Sequence, residues 1–536
     1  MLTYREIFFI INCVFLSSVT CDIIKGEGWR KKFPDDFRFG VSTSAYQTEG
    51  AWDVDGKGPS MWDFMVRTNP EKVANGANGD VACNSYYLYK RDVEMLTELG
   101  VNSYRFSIAW TRILPFGTPH YVNHRGIAHY NKVLDELLAN GIEPFVTIYH
   151  WDLPQSLNEQ GGWMSDKIAD SFGDYARILY KYFGNRVKYW LTINEPHIHC
   201  YMGYAVGCFA PGIHSPGTGY YECIKNQLLA HARAYHIYDE EFRQTQGGKV
   251  SLALSFEWPV TESDLEDDIE AVKDYMAFHV DSYLQPIFSK EGNFPERFTK
   301  RIADASARQG YNESRLKPFT KEQINYMKGS FDFLAINHYT SRVVYRNESV
   351  RGAYEVPSVD DDLGVGVYGD PSWPRVSDLW LYEYAPGFYN LLMYVKSAYG
   401  NPEIYVTENG IYTEGATSLV DDARVQYYRN YLSALLDAIY DGVNVKGYFP
   451  WTLMDNLEWS NGYNCQFGLY AMNANDTKKT RTPRKSAFVY KEIIRSRVVN
   501  YDYDVDPYAV RGGSFVHVPE ASLIIILGIL IVIIEF

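Results

Sequence analysis

The 536-residue chain lacks the marks of several large functional classes. It has only seven cysteines, with no C-x-x-C pair, and H-E-x-x-H is absent. Zinc therefore has no ligand pattern to rest on, and neither metal nor cofactor is expected. Basic residues are in deficit, 51 against 66 acidic ones, for a net charge of -15. Such a surface disfavours nucleic acid and other polyanions. No low-complexity block, linker or short-period repeat interrupts residues 30–498. The stretch GVSTSAYQTEG does not fit the G-x-G-x-x-G of a dinucleotide-binding turn, which disfavours an open doubly wound sheet. The apolar C-terminal run, 521–534, has 14 residues. As a helix it would reach only ~21 Å, short of a ~30 Å hydrocarbon core.

What is present is a globular composition, 46% hydrophobic and 22% charged. The 45 tyrosines and 12 tryptophans are a heavy aromatic load, useful in a core and equally able to stack on sugar rings. Residues 1–21 read as a secretory signal, with Arg5, an apolar core over 7–16, then Ser17, Ser18 and Thr20. A single catalytic barrel is expected over 28–499 and a linker over 500–514. Gly512, Gly513 and Ser514, a short spacer and the apolar tail within 515–536 match a GPI-attachment signal. A short membrane anchor or an uncleaved tail are the alternatives. The expected location is extracellular, on the outer cell surface through the lipid anchor.

Five cysteines lie outside the leader: Cys83, Cys200, Cys208, Cys223 and Cys465. The odd number leaves at least one unpaired or paired between molecules. Cys208 with Cys223 is a candidate disulfide, which spacing does not assign. Sequons at Asn312, Asn347 and Asn475 fit a glycosylated surface.

Between the ends, strand and helix patterns alternate. Strands are expected over 37–47, 103–110, 143–151, 187–194, 249–258, 331–339, 403–409 and 445–455. Between them run amphipathic helices, several stopped by a glycine such as Gly100, Gly141 or Gly184. Eight such units make a (β/α)8 TIM barrel with long βα-loop insertions. The stretch 343–373, rich in Gly, Asp, Pro and Tyr, is expected as a loop shaping an access channel.

A barrel's chemistry collects at the C-terminal ends of its strands. Two strands from distant parts of the chain each end in a carboxylate there: YWLTINEPH presents Glu195, and EIYVTENG presents Glu408. The other tips supply Gln47, Glu49, Arg105, His150, Trp151, Asn194, Trp258, Asn337, Tyr339 and Trp451, with Glu458 and Trp459 in the loop beyond. Taken singly, a tryptophan or histidine here is as well explained as core. Arg105 lies inside an apolar strand, where an unpaired charge is costly, so a carboxylate partner is expected. Together these groups form a pocket with two carboxylates, amide and imidazole donors and aromatic walls. Such a pocket suits a neutral, hydroxyl-rich ring.

The motifs FRFGVSTSAYQTEGAW, SYRFSIAWTRILP, YHWDLPQ, TINEP, INHYTS, YVTENG and WTLMDNLEWSNGY also resemble glycoside hydrolase family 1, the β-glucosidases, from about residue 33 to 498. The resemblance implies a retaining exo-β-glycosidase that hydrolyses β-glucosides, and also β-galactosides or β-fucosides, through a covalent glycosyl-enzyme. It implies Glu195 as acid/base and Glu408 as nucleophile, with Arg105, Tyr339 and Asn337 supporting the nucleophile. It implies Gln47, His150, Trp151, Asn194, Trp451, Glu458 and Trp459 as sugar-binding residues. His338 stands where many members have tyrosine. Glu458 argues against a 6-phosphorylated sugar, whose charge a carboxylate repels. The alternatives are a thioglucosidase acting on glucosinolates, for which Arg342 is the nearby cation, and a non-catalytic sugar- or protein-binding receptor, against which both glutamates stand.

Overall fold

The computed structural model describes residues 28–347, 353–376, 380–414, 418–505 and 507–508. The expected leader and the C-terminal attachment signal lie outside the described residues. Eight parallel strands form one sheet: β1 (Arg38–Phe39), β2 (Ser103–Ser107), β3 (Glu143–Tyr149), β4 (Tyr189–Asn194), β5 (Lys249–Ser255), β6 (Leu334–Asn337), β7 (Ile404–Glu408) and β8 (Val445–Tyr448). Each strand pairs with its sequence neighbours, from β2 through to β8, and β8 pairs with β1. Backbone bonds beyond β1 close the ring: Arg105 N donates to Val41 O at 3.0 Å, and Thr43 N to Arg105 O at 2.9 Å.

A helix precedes each return to the sheet: α1 (Ser85–Leu99), α2 (His124–Ala139), α3 (Ile168–Phe183), α4 (Gly219–Glu241), α5 (Lys321–Met327), α6 (Ala385–Ala398) and α7 (Asp422–Tyr440), with α8 (Lys485–Ser496) after β8. Their apolar faces pack on the sheet, as Phe172, Tyr175, Leu179 and Phe183 do along α3. Each fully buried side chain of this size contributes ~1.5–3 kcal/mol. On α2, Leu138 is 40% exposed although Leu137 beside it is buried, because successive residues lie ~100° apart around the helix. Gly100 ends α1 in the left-handed region at φ 78°, where a side chain would be strained.

Inside the barrel, Phe145, Leu191, Ala253, Phe333, Ala335, Tyr405 and Phe449 form a separate buried cluster. It fills the barrel interior, leaving the chemistry to the mouth. Registers shift just before the two carboxylate tips, between Leu191 and Asn194 against β5 and between Val406 and Glu408 against β6. Such irregularities turn a side chain away from the regular pleat.

Several expected boundaries change. The first strand ladder is two residues long, and Gln47 sits on a helical turn, Ala45–Thr48. The second strand stops at Ser107, and Trp110 begins another turn. The fifth stops at Ser255, and Trp258–Thr261 joins Ser341–Arg346 and Val365–Tyr368 in a three-stranded sheet outside the barrel. Much of the expected loop 343–373 therefore belongs to that sheet and to the helix Val359–Leu363. The apolar alternation around 258 and 343 serves a second sheet, which a single-barrel reading assigns to strand or loop.

The disulfide joins Cys200 to Cys223, not Cys208 to Cys223. Cys200 ends the short helix Pro196–Cys200, and its Cα lies 5.6 Å from that of Cys223 on α4. Cys208 lies beyond the turn at Gly207, its Sγ 3.9 Å from Met202 Sδ.

Candidate active site

Five barrel strands converge on one buried polar network. Arg105 rises from β2, and its Nη1 donates to Glu408 Oε1 of β7. Its Nη2 donates to Asn194 Oδ1 of β4 at 2.6 Å, and its Nε to Thr147 Oγ1 of β3 at 3.1 Å. The other oxygen of Glu408 accepts from Tyr339 OH at 2.6 Å. Asn337 on β6 links the two carboxylate strands. Its Nδ2 lies 2.7 Å from Glu195 Oε1 and 3.1 Å from Asn194 Oδ1, and its Oδ1 accepts from Thr407 Oγ1 at 2.7 Å. Asn194 Nδ2 faces His150 Nε2 at 3.1 Å.

The backbone is bent where the site needs it. Glu195, Trp151 and Trp459 all have positive φ, 46°, 70° and 49°. Residues with a Cβ adopt this region rarely, and strain of order 1–3 kcal/mol is typically held at functional sites. At Glu195 the strand's last peptide still donates to Ala253 O at 2.8 Å, and the chain then turns into Pro196.

The rim on the β1 and β8 side carries Gln47, Trp451, Glu458 and Trp459. Gln47 Nε2 lies 3.3 Å from Glu458 Oε2 and 2.9 Å from Leu457 O, and its Oε1 accepts from Ser44 Oγ at 2.6 Å. The rings of Trp451 and Trp459 each lie parallel to His150, at 5.9 and 5.8 Å, and Trp151 packs on Trp459 at 4.7 Å. Trp151 Nε1 donates to Asn194 O at 2.8 Å.

The two catalytic candidates have unlike surroundings. Both oxygens of Glu408 meet strong donors. Glu195 is buried beside the charge of Glu408, and these two effects push its carboxyl up to about 8, against the opposing pull of Asn337 and Arg105. Burial and Glu408 likewise push Glu458 up to about 8. Burial, then Arg105, hold His150 well below the usual imidazole range, so it is neutral. Tyr339 is held well above the usual phenol range by burial and by Glu408, so it stays a donor.

Two other residues at the expected strand tips lie apart. Glu49 accepts from Tyr130 OH at 2.5 Å and from Arg112 Nε at 3.0 Å, in a buried pair beside the barrel. Trp258 lies in the outer sheet against Tyr394. Arg342 is held by Glu257, with contacts of 3.0–3.2 Å to both oxygens. Among the sequons, Asn312 and Asn475 are exposed, whereas Asn347 is half-buried with its Nδ2 on Tyr354 OH at 3.0 Å. Thr147, Thr407 and Ser44 join the network without having been singled out. Their sequence signal is a small hydroxyl residue within an apolar stretch. The residues His199, Cys200 and Cys223 cluster closely, but the disulfide consumes both thiols as ligands.

A carboxylate pair with a polar, aromatic-walled rim at the mouth of a (β/α)8 barrel defines the class: a barrel glycosidase. The family model for glycosyl hydrolase family 1 matches residues 29–499, and the chain belongs to that family. It is 43% identical to the cytosolic β-glucosidase of Homo sapiens over 467 residues, 87% of this chain and 98% of that protein. It is 41% identical to myrosinase 1 of Brevicoryne brassicae over 86% of this chain and 98% of that protein. The solved aphid myrosinase superposes with a TM-score of 0.83 at 40% identity, covering 87% of this chain and 99% of that one. A rice β-glucosidase solved in a covalent complex with glucose superposes at 0.80 and 37% identity, covering 87% and 98%.

Proposed function

We propose that the chain is a retaining exo-β-glycosidase of β-D-glucosides in which Glu408 is the nucleophile and Glu195 the acid/base. The observation that carries the assignment is the asymmetry of the two carboxyls. Glu408 has a donor on each oxygen, Arg105 and Tyr339, as suits a carboxylate. Glu195, pushed up to about 8, holds its proton at neutral pH. Glu408 attacks the anomeric carbon while Glu195 gives its proton to the leaving oxygen. Glu195, now ionised, takes a proton from water, whose oxygen displaces Glu408 and restores both groups. Asn337, Asn194 and Arg105 hold the pair in place. Gln47, His150 and Glu458 meet the sugar hydroxyls, and Trp451 and Trp459 supply its apolar wall. With its carboxyl pushed up to about 8, Glu458 carries a proton in the free site at neutral pH and both donates and accepts, so the charge repulsion expected toward a 6-phosphate is weakened there.

A 2-deoxy-2-fluoro β-glucoside tests the roles. It should label Glu408 alone, and label on another residue would overturn the assignment. The thioglucosidase reading draws on the likeness to the aphid enzyme. Against it, the one cation named for a sulfate, Arg342, is already paired with Glu257. Purified protein should turn over an aryl β-glucoside at least tenfold faster than a glucosinolate; the reverse order would reassign it.

The same proposal places the protein outside the cell. The N-terminal pattern and the disulfide support it, since disulfides persist in oxidising compartments. The C-terminal pattern supports a GPI anchor. Among the described residues no helix is long and apolar enough to cross a membrane. A phosphatidylinositol-specific phospholipase should release the activity from cells. Activity that stays on the membrane with residues 521–534 still attached would refute the anchor.

A further inference from the structure

A second hollow, of about 1040 Å³, lies between the loop after β1 and the loop after β8. None of Glu195, Glu408 and Glu458 lines it. Its walls are unusually rich in amides: Asn75 and Asn78 on one side, Asn464, Gln466, Asn473 and Asn475 on the other. Two bonds tie the walls together, Asn75 Nδ2 to Asn464 Oδ1 at 3.3 Å and Tyr463 OH to Asn78 O at 3.1 Å. The side-chain nitrogens of Asn78, Asn464, Gln466 and Asn473 have no acceptor among the described residues.

The charged groups of the hollow are spent on the protein itself. Asp455 accepts from both terminal nitrogens of Arg484, at 2.8 and 2.7 Å. Lys479 Nζ donates to Ala474 O at 2.5 Å, and Asp476 accepts from the backbone of Lys478 and Thr480. Apart from the Asp476 carboxylate, what remains toward the opening is neutral, offers donors and acceptors together, and includes the half-buried Tyr463 ring. With both cations already engaged there is no free one for an anion, and the run of amides matches a chain of sugar hydroxyls. The volume is at the upper end of small-molecule sites, about 300–1,000 Å³, which allows several sugar units.

We propose that this groove is a non-catalytic site for a neutral oligosaccharide. Two sources share that chemistry: a soluble oligosaccharide, or the protein's own glycan on Asn475, which stands in the wall and opens the sequon Asn475-Asp476-Thr477. Asp455 is three residues before Glu458, so occupancy would bear on the loop that carries the sugar-binding rim.

The test uses the full secreted chain, its Asn475→Gln variant, and Asn464→Leu in each. Cellotetraose and chitotetraose are titrated calorimetrically, and site occupancy at Asn475 is read by mass spectrometry. If Asn475 is unmodified, the wild type should bind a tetrasaccharide, and Asn464→Leu should weaken that binding at least tenfold while kcat/KM on an aryl β-glucoside stays within twofold. If Asn475 carries a glycan, that glycan should resist endoglycosidase under native conditions more than one on Asn312. Asn475→Gln should then expose tetrasaccharide binding that Asn464→Leu removes. Binding insensitive to Asn464→Leu, no binding in either background, or a glycan on Asn475 as readily cleaved as that on Asn312 overturns the proposal. Because the readout is binding at Asn464, failure here leaves the assignment of Glu195 and Glu408 untouched.

Discussion

The hydroxyl of Tyr339 lies 2.6 Å from Glu408 Oε2, on the side of the carboxylate opposite its contact with Arg105. Tyr339 follows β6 and Arg105 belongs to β2, so the carboxylate is held from two sides of the barrel mouth. A carboxylate held in this way can attack a ring carbon without rearranging its own environment.

Retention of configuration follows. The carboxyl groups of Glu195 and Glu408 should lie about 5–5.5 Å apart rather than the roughly 6.5–9.5 Å of an inverting pair. Proton NMR in the first minutes of hydrolysis should show the β-anomer. In Glu408→Gly, azide should restore turnover with the inverted product. An α-configured first product from the wild type would overturn the mechanism and leave the fold intact.

Glu458 tests the sugar-binding rim. Glu458→Ala leaves sugar hydroxyls without a partner in a buried site, while Gln47 keeps its bond to Leu457 O. The loss should be about 1.5–3 kcal/mol, or roughly 10- to 150-fold in kcat/KM. A variant within threefold of wild type would take Glu458 out of the pocket.

The pH profile reports Glu195. In the proposed mechanism turnover needs its proton, so kcat/KM should fall as the pH rises through about 8. The bond from Asn337 pulls the pKa of Glu195 down, so Asn337→Ala should move this alkaline limb upward. A limb that stays or moves down would show that another group sets it.

The same shift bears on stability. The carboxyl of Glu195 is raised in the folded state, from 4.5 to about 8. Between those values the native protein holds a proton that the unfolded chain has lost. This group's contribution is therefore most favourable below pH 4.5 and declines as the pH rises to about 8. Glu195→Gln removes that decline. Its Tm relative to wild type should climb between pH 5 and 8, and a flat difference in thermal scans would contradict the linkage.

The Cys200–Cys223 link connects the helix that follows Glu195 to α4. The double variant Cys200→Ser, Cys223→Ser should lose about 2–4 kcal/mol in denaturant unfolding. Cys208→Ser should lose less than 1 kcal/mol, because Cys208 is half-buried and outside the bridge. Equal losses would point back to a bridge through Cys208.

Eight strand-and-helix units were legible because burial on both faces of a parallel strand, and on one face of a helix, imposes periodicities on neighbouring residues. The strand tips ending in Glu195 and Glu408 were legible for the same reason, as a charge closing an apolar run is a local contrast. The chain order alone also marked Arg105 as needing a partner, since its apolar strand offers none. Which carboxylate it holds is a matter of barrel closure, in which β2 meets β1 and faces β7 across the mouth. The helical turn under Gln47, the outer sheet built from Trp258–Thr261 and its two partners, and the choice of Cys200 over Cys208 for the bridge were likewise decided only by the tertiary structure. The physical reason is common to all of them. A residue's own neighbours determine whether it is buried, but its distance to a residue some hundred or more positions away is set by how whole elements pack, and both hydrogen bonds and disulfides depend on that distance.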